Sequence, residues 1–398
     1  MSTTPAPHVS QHDATPGPAP VPAIELGLDT FGDVTEDAAG QLLPHARVLR
    51  DVVAEAELAD RVGVDFFGVG EHHRPDFAIS APEVVLAAIA ARTERLRLGT
   101  AVTVLSTDDP VRVYERFATL DGLSGGRAEV ILGRGSFTES FPLFGYLLDD
   151  YQVLFEEKLA LFAAIRDADR TGEPVRWRGT VRAPLEGMRV FPRVERAPLK
   201  TWVGVGGSPE SVVRAARYAF PLTLAIIGGD PRRFAPYVQL YYRALAQLGH
   251  DPLPVGVHSP GHIAETDAQA REEFWPAYAV MRNRIGAERG WGPTSRAEFE
   301  HEVAAGSLYV GSPETVARKI AATMGALGVS RFDLKYSAGT LRHELMLRSI
   351  ELYGREVVPR VRQLVGEASR SHAAGAGAGA RAGASAGGGG GGVAASKE

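Results

Sequence analysis

The chain has 398 residues, a formal net charge of -5 and 44% hydrophobic residues, enough apolar material for a large globular core in one or two domains. The mildly acidic balance and the lack of a long Lys/Arg cluster exclude the electrostatic signature of a nucleic-acid or anionic-membrane binder. Because the sequence contains no cysteine, disulfides, thiolate metal ligands and cysteine nucleophiles are excluded, and any redox chemistry must belong to a cofactor.

The two ends of the chain differ in composition from the rest. Residues 1–22 are rich in Pro, Ala, Ser and Thr, and residues 368–398 consist mainly of Ala and Gly. Such segments bury too little apolar surface to offset the entropy of ordering, so we expect two disordered tails around a folded body of residues 23–367. The first tail lacks the pattern of a signal peptide, and no apolar run is long enough to cross a bilayer, so we expect a cytoplasmic protein.

Short β-branched or aromatic runs alternate along the body with longer segments of helical period, the pattern of parallel strands joined by helices. Eight strands are predicted, at residues 23–29, 65–70, 96–104, 128–133, 201–205, 222–227, 254–259 and 331–337. The clearest helical segments are residues 48–62, 81–93, 109–123 and 149–168. This order predicts an α/β fold, namely a (β/α)8 TIM barrel.

Two insertions interrupt the pattern, at residues 171–198 after the fourth strand and at residues 265–308 after the seventh. Loops of this length are typical of lids, binding loops or subunit contacts, although plain decoration is the alternative. A second, doubly wound domain is the rival architecture. It is weakened because no G-x-G-x-x-G turn follows the first strand, where a dinucleotide-binding fold would have one.

Polar and glycine-rich segments follow five consecutive predicted strands. They are GEHHR (70–74), TVLSTDD (103–109), GRGS (133–136), GGSPES (206–211) and GGD (228–230). Each segment alone has the composition of a turn or a helix cap. Because functional residues of a TIM barrel gather where its strands end, their joint placement predicts a site at the carboxyl ends of the strands.

The GGSPES segment has the features of an anion site at the start of a helix. Gly206 and Gly207 let the backbone approach a ligand closely. Ser208 suits the N-cap, Pro209 suits the first helical position, and Ser211 falls in the first turn. The free N–H groups of a helix N-terminus bind anions such as phosphate.

The alternative interpretation is that this segment only caps the helix and binds no anion, because a similar string, GSPETV, recurs at residues 311–316 before another helix. The first copy has a second glycine and directly follows a strand, whereas the second copy follows the long insertion. The first copy is therefore the better candidate for a phosphate.

Arg134 could supply the counter-charge, since it lies between two glycines just after the fourth strand. An arginine fork matches phosphate oxygens. With Ser208 and Ser211 it would form a three-sided phosphate pocket between the fourth and fifth strands. A structural salt bridge is the alternative reading of Arg134.

Two adjacent histidines, His72 and His73, follow the second strand. Consecutive side chains in an extended chain point to opposite faces, so a shared metal is not expected. The H-x-H and H-E-x-x-H spacings of metal sites are absent as well. One functional histidine acting as a base or acid, with its neighbour paired to Glu71 or Asp76, is the simpler interpretation.

Three stretches, GEHHRPDF, RLRLGTAVTVLSTDDPVRVYERFATLDGLSGGRAEVILGRGSF and WVGVGGSPESVVRAARYAFPL, occur in an order and spacing that resemble the bacterial luciferase-like family of flavin-dependent monooxygenases. The resemblance covers residues 24–365. It implies a (β/α)8 barrel that holds reduced FMN at the carboxyl ends of its strands and uses O2 to oxidise a small organic, carbonyl-type substrate. It further implies a homodimer that receives reduced FMN from a separate flavin reductase.

Position by position, the resemblance implies that His72 is the catalytic histidine near the flavin ring and that Arg134 binds the cofactor phosphate. The residues expected to contact FMN are Ala101, Val102, Thr103, Arg134, Gly206, Gly207, Ser208 and Ser211. The peptide bond between Ala101 and Val102 corresponds to a cis bond beneath the ring.

Two positions depart from luciferase itself, which has a reactive cysteine at the position of Gly133 and an acidic residue at that of Gly207. Neither change removes a group that the oxygen chemistry needs. Three alternatives remain: a deazaflavin-dependent reductase or dehydrogenase of the same fold, a non-catalytic flavin-binding protein, and a metal hydrolase on the same barrel. Retention of His72 and Arg134 counts against the non-catalytic protein.

Overall fold

The computed structural model describes residues 24–135, 137–195 and 198–370. The predicted N-terminal tail and residues 371–398 of the predicted C-terminal tail lie outside these ranges. The last helix continues to residue 370, three residues beyond the expected end of the folded body at residue 367.

A closed sheet of parallel strands forms the centre of the molecule, and it confirms the predicted (β/α)8 barrel. Its strands are β1 (Glu25–Thr30), β2 (Phe66–Val69), β3 (Arg97–Thr100), β4 (Thr103–Val104), β5 (Glu129–Gly133), β8 (Lys200–Val205), β9 (Leu222–Ala225), β10 (Val255–Ile263) and β12 (Arg331–Lys335). They are hydrogen-bonded in the order β3-β2-β1-β12-β10-β9-β8-β5-β4. A parallel bridge between Leu98 and Ala128 joins β3 to β5 and closes the ring.

Helices surround this barrel. They are α1 (His45–Arg61), α2 (Pro82–Ala90), α3 (Pro110–Ser124), α4 (Ser140–Leu143), α5 (Tyr151–Thr171), α6 (Pro209–Arg217), α7 (Ala235–Gln247), α8 (Asp267–Arg289), α9 (Arg296–Ala304), α10 (Pro313–Leu327) and α11 (His343–Leu352). A π-helical turn (Tyr353–Val357) follows α11. Within the described ranges, no helix combines the length and the apolar character needed to cross a bilayer.

Local sequence signals explain where these helices begin and end, as α3 illustrates. The side chain of Asp109 accepts a hydrogen bond from the backbone N–H of Val111 at 2.9 Å, and Pro110 occupies the first helical position. Gly125 ends the helix with a left-handed φ of 67°, a conformation that glycine adopts without steric cost. Capping of this kind typically contributes about 1 kcal/mol.

The apolar core has two parts. The larger part lies between the sheet and the surrounding helices. The smaller part fills the barrel and consists of Phe66, Ile131 and Trp202, with Val102 packed against them. Complete burial of one such side chain contributes roughly 1.5–3 kcal/mol.

The third barrel strand, predicted as residues 96–104, is interrupted in the structure. The peptide bond between Ala101 and Val102 is cis, as the resemblance implies, and it separates β3 from β4. Hydrophobic pattern does not register a single cis bond, which explains why the prediction gave one continuous strand. The interruption places Val102 inside the barrel, against Gly204 and Gly133.

Both insertions carry regular structure. Residues 171–198 contain the antiparallel hairpin of β6 (Val175–Trp177) and β7 (Leu185–Met188). Residues 265–308 contain α8 and α9, after which β11 (Tyr309–Gly311) pairs with the end of β10.

Candidate functional site

His72 lies just after β2 at the end of the barrel where the strands have their carboxyl ends, which we call the mouth. The residue is 9% exposed. Its ring stacks on Phe77, with centroids 4.5 Å apart, and contacts Phe31 and Phe137 edge-on, each at 5.0 Å. The predicted catalytic histidine therefore lies in an aromatic pocket, where water is largely excluded.

Glu139 is the polar partner of His72. Nδ1 of His72 lies 3.5 Å from Oε1 of Glu139. Burial favours the neutral acid, but the His72 imidazole and backbone hydrogen bonds together outweigh it and hold the pKa of Glu139 below its usual value. A carboxylate on this side of the ring favours one orientation of the imidazole and leaves Nε2 for exchange of a proton.

His73 has different partners, as the alternation argument predicts. Its Nε2 lies 3.0 Å from Oε1 of Glu71, and Oε2 of Glu71 accepts a hydrogen bond from the backbone N–H of Val104 at 2.8 Å. Pairing of the second histidine with Glu71 is thus confirmed, whereas Asp76 pairs with Arg74 at 3.1 Å. Together these contacts tie the His72 loop to the strand segment that follows the cis bond.

The residues expected beneath the flavin ring differ in accessibility. Ala101 and Val102 are partly exposed at the mouth. Thr103 is fully buried, and its hydroxyl donates to Oγ1 of Thr100 at 3.0 Å. The side chain of Thr103 therefore holds the strand in place, and only its backbone is left to meet a ligand.

Arg134 follows β5 on the opposite side of the cis bond from His72. Nη1 donates to Oε1 of Gln152 at 3.1 Å, and the guanidinium lies 5.2 Å from the ring centroid of Tyr151. The other nitrogen atoms of this partly exposed side chain form no hydrogen bond within the described residues. Ser136, which completes the GRGS segment, lies outside those residues.

The predicted phosphate loop connects β8 to α6, next to Arg134, because β5 and β8 are paired. Gly207 has a φ of +115°, and a Cβ there would meet nothing closer than 3.7 Å. Gly206 has open space on all sides. Ser208 is the N-cap of α6, and its hydroxyl oxygen accepts a hydrogen bond from the N–H of Ser211 at 3.4 Å. The predicted cap and the predicted open backbone are both present.

Two side chains of this loop are engaged within the protein. Ser211 is 3% exposed, and its hydroxyl accepts from Nη1 of Arg214 at 3.2 Å. The hydroxyl of Ser208 donates to Glu210 at 2.7 Å, which holds the pKa of that carboxyl below its usual value. Glycine backbone and Arg134 are consequently the most accessible groups for an anion.

The second copy of the motif, at residues 311–316, is already capped by a carboxylate of the chain. Asp267 accepts from the backbone N–H of Ser312 at 2.7 Å and from the hydroxyl of Thr315 at 3.0 Å. A Cβ at Gly311 would lie 2.9 Å from that carboxylate. This N-terminus thus has an internal anion in the position that a phosphate would occupy, which distinguishes it from the first copy.

The long insertion contacts the His72 loop through α8. Nη1 of Arg74 lies 2.8 Å from Glu288, and Arg284 lies 3.6 Å from Asp76. The guanidinium of Arg289 lies 5.3 Å from the ring centroid of Phe137. The end of α8 therefore covers part of the mouth.

Several polar groups of the mouth were not predicted from the sequence. Glu139 lies only five residues beyond Arg134, so a systematic search for carboxylates near that segment would have found it. His258 and Lys335 lie on predicted strands, but the pattern gave no reason to distinguish them from core positions. Nδ1 of His258 lies 2.7 Å from Oδ2 of Asp29, and Lys335 pairs with Asp33 at 2.9 Å.

Within residues 24–135, 137–195 and 198–370, no group of three or more His, Asp or Glu side chains is arranged to hold a metal ion. The site that these residues do form combines an open glycine backbone, an arginine, a strand break and a buried histidine.

A family model described as luciferase-like monooxygenase matches residues 30–331 of the chain. The chain belongs to this family. Among the curated members, 4-hydroxyprotoasukamycin monooxygenase of Streptomyces nodosus subsp. asukaensis is 30% identical over 77% of this luciferase-like chain and 85% of that protein. The alkanal monooxygenase alpha chain of Photobacterium leiognathi is 24% identical over 80% of this chain and 95% of that protein.

One further match is local: a protein of Sinorhizobium fredii, y4wF, is 38% identical over 122 residues, which are 30% of this luciferase-like chain and 34% of that protein. The chain thus spans about a third of that relative but most of the two monooxygenases.

Solved structures share the fold of this luciferase-like chain. Monooxygenase RslO1 of Streptomyces bottropensis has a TM-score of 0.73 and 24% identity, covering 84% of this chain and 99% of its own. The oxygenating constituent of 3,6-diketocamphane monooxygenase of Pseudomonas putida, in complex with FMN, has a TM-score of 0.67 and 20% identity over 85% and 99%. A coenzyme F420 dependent tetrahydromethanopterin reductase of Methanopyrus kandleri has a TM-score of 0.63 and 19% identity over 85% and 99%.

Proposed function

We propose that the protein is a monooxygenase that uses reduced FMN and O2 to oxidise a small organic substrate of carbonyl type. The observation that carries this proposal is the open, positively charged cradle formed by Gly206, Gly207 and Arg134, next to the Val102 side of the mouth. An arginine beside glycine backbone at the start of a helix suits one terminal phosphate of a mononucleotide.

The residues present fit FMN in three respects. Gly206 and Gly207 leave the space that a Cβ would otherwise fill, so a phosphate can approach the start of α6. Arg134 supplies a guanidinium with nitrogen atoms that form no hydrogen bond among the described residues. Ala101 and Val102 provide an apolar surface at the strand break on which a flat ring can rest.

When bound, reduced FMN supplies the electrons that activate O2. The chain's own contribution is binding, shielding and proton handling. Phe31, Phe77 and Phe137 exclude water around His72. His72, oriented by Glu139, holds or releases a proton at Nε2.

We further propose that a separate flavin reductase delivers reduced FMN in the cytoplasm and that the protein acts as a homodimer. The absence of a nicotinamide fingerprint in the sequence agrees with a borrowed reduced cofactor. By the same proposal, a single luciferase-like domain begins near residue 23 and ends with the helix that continues to residue 370.

A deazaflavin-dependent reductase or dehydrogenase is the second candidate, because a coenzyme F420 dependent reductase shares the fold. The two candidates are separated by titrating the protein with FMN and with coenzyme F420, and then by mixing the reduced complex rapidly with aerated buffer. Tight FMN binding, together with O2-dependent conversion of an aldehyde or ketone to an oxygenated product, is the expected result. Preferential binding of coenzyme F420, with no O2 consumed, would establish the second candidate instead.

A further inference from the structure

A histidine and an aspartate on the other half of the mouth form a pair to which the proposed phosphate and flavin contacts assign no role. His258 lies on β10 and Asp29 on β1, strands separated in the ring only by β12. Arg134 and Gly206 follow β5 and β8, on the opposite half. The pair therefore faces the mouth from the side away from the proposed phosphate cradle.

The hydrogen bond within this pair fixes the imidazole. Nδ1 of His258 lies 2.7 Å from Oδ2 of Asp29, whose side chain is 1% exposed. The other ring nitrogen, Nε2, has no hydrogen-bond partner among the described residues, and the side chain keeps 11% of its surface exposed. A carboxylate that accepts from Nδ1 orients the ring and leaves Nε2 directed elsewhere.

The surroundings of the pair connect it to His72. Phe31 stacks on His258 with ring centroids 6.0 Å apart and planes 12° apart. The same Phe31 ring contacts His72 at 5.0 Å. The two imidazoles thus contact the same phenylalanine ring, and Phe77 and Phe137 contact His72 as well.

The charges around His258 decide its protonation. Burial favours the neutral imidazole, but Asp29 outweighs burial and raises the pKa of His258. Asp333 acts in the same direction as Asp29, whereas Lys335 opposes them. Once protonated, the imidazole donates a hydrogen bond from each ring nitrogen.

We propose that Nε2–H of His258, oriented by Asp29, donates a hydrogen bond to the carbonyl oxygen of the substrate and selects apolar, ring-containing carbonyl compounds. This role rests on the proposed monooxygenase function, since it concerns the substrate of the same site. The aromatic walls hold the apolar body of the substrate, and the charged Nε2–H donor recognises its oxygen. A hydrogen bond to a charged donor discriminates strongly, because an analogue without the oxygen leaves the buried donor unpaired.

Two probes of equal shape test the proposal: acetophenone, which has a C=O group, and α-methylstyrene, which has C=CH2 in its place. Their dissociation constants are measured by ligand-observed NMR with the full chain at pH 6, with and without oxidised FMN. We expect His258→Phe to lower the affinity for acetophenone relative to α-methylstyrene about tenfold, the scale of one such hydrogen bond. The dissociation constant of FMN should stay within about twofold.

A second variant and a control keep the result interpretable. Asp29→Asn keeps the shape of the partner but removes its charge, so the pKa of His258 should fall. The preference for acetophenone should therefore disappear at a lower pH than in the wild-type chain. His262→Asn is the control, because His262 is a buried histidine on the same strand that pairs with Glu273 at 3.0 Å and stacks on Phe274. His262→Asn should leave the ratio of the dissociation constants of the two probes unchanged.

An unchanged ratio of the two dissociation constants in His258→Phe, together with an unchanged pH dependence of that ratio in Asp29→Asn, overturns the role of the pair, as does failure of the wild-type chain to bind either probe. Failure of the wild-type chain to bind FMN contradicts the proposed function instead. In that case the ratio of the dissociation constants of acetophenone and α-methylstyrene, measured without FMN, still decides the role of His258.

Discussion

A Cβ atom added at Gly133 would lie 2.3 Å from Cγ2 of Val102. The glycine is thus required by the close packing of the Val102 side chain inside the barrel. We expect Gly133→Ala to push Val102 towards the mouth, to cost about 1–3 kcal/mol of stability through overpacking, and to weaken FMN binding. Urea unfolding and titration with FMN measure the two effects.

The double variant Gly133→Ala/Val102→Ala removes the clash and should recover most of the lost stability. Gly122→Ala is the matched control. Gly122 lies within α3, and a Cβ added there would meet nothing within 4 Å, so the change should stabilise by up to about 1 kcal/mol. Equal losses in the single and double variants would show that Val102 is not the cause.

Arg134 and Glu210 should have opposite effects on FMN affinity. Arg134→Ala removes the proposed phosphate ligand, and we expect the dissociation constant of FMN to rise about tenfold or more. Glu210→Gln removes a negative charge from the same loop, so we expect affinity to improve about two- to fivefold, less at high salt. Fluorescence titration at two salt concentrations measures both.

Arg112→Ala is the control for this pair of changes, since Arg112 is an exposed residue paired with Glu115 on α3. It should leave FMN binding unaltered. An unchanged dissociation constant in Arg134→Ala would place the phosphate elsewhere.

His72 and Glu139 should act together in turnover. We expect His72→Ala to retain FMN binding and to lower the rate of O2-dependent carbonyl oxidation at least about tenfold, within the range for loss of an acid or base. Glu139→Gln should give a smaller loss and move the pH profile, because the pair Nδ1–Oε1 orients the imidazole. Rapid mixing of the reduced-FMN complex with O2 and a panel of aldehydes and ketones supplies the rates.

His45→Ala is the matched control, because His45 is an exposed histidine that contacts only the backbone carbonyl of Pro75, at 3.1 Å, among the hydrogen bonds of the described residues. Full activity in His72→Ala would remove that residue from the mechanism.

Glu129 should make stability depend on pH below about 5. Burial acts to raise its pKa, but Arg331, Lys200 and Arg97 lower it to about 2. A carboxyl with a depressed pKa in the folded state stabilises above its unfolded value, near 4.5, and loses that contribution as pH falls towards 2. Glu129→Gln removes one of the two buried carboxylates that pair with Arg331 and leaves Asp333, 2.8 Å from Nε, as the other, so we expect a loss of about 1–3 kcal/mol at pH 7.

Urea unfolding at pH 7 and pH 3 tests this, since the variant should lack part of the pH dependence of the wild type. Glu115→Gln changes an exposed carboxylate and should stay within about 0.5 kcal/mol of the wild type. A pH dependence identical in Glu129→Gln and wild type would contradict the pairing as a source of acid sensitivity.

The barrel was predictable because its strands and helices each have their own hydrophobic period, and because glycine and proline mark their ends. The GGSPES cap shows this, since Ser208 and Pro209 occupy the positions that their chemistry favours. The break between Ala101 and Val102 followed only from the family resemblance, because a cis bond leaves no trace in hydrophobic pattern.

The pairing of distant side chains was the part that sequence could not supply. His258 and Asp29 are separated by 229 positions and meet only because β1 and β10 flank β12. The two GSPE copies likewise looked alike until Asp267 was found to cap one of them. Contacts of this kind depend on the order of strands in the closed ring, which no local pattern encodes.

The insertion around α8 is held differently at its two ends. Asp267, the first residue of α8, accepts hydrogen bonds from the backbone and a side chain at the start of α10. At the other end of α8, Glu288 is 45% exposed and pairs with Arg74 beside the mouth. Dissolved salt screens the exposed pair far more than the hydrogen-bonded cap. The ionic strength of the medium therefore acts selectively on the outer end of this helix, and with it on how readily molecules reach His72.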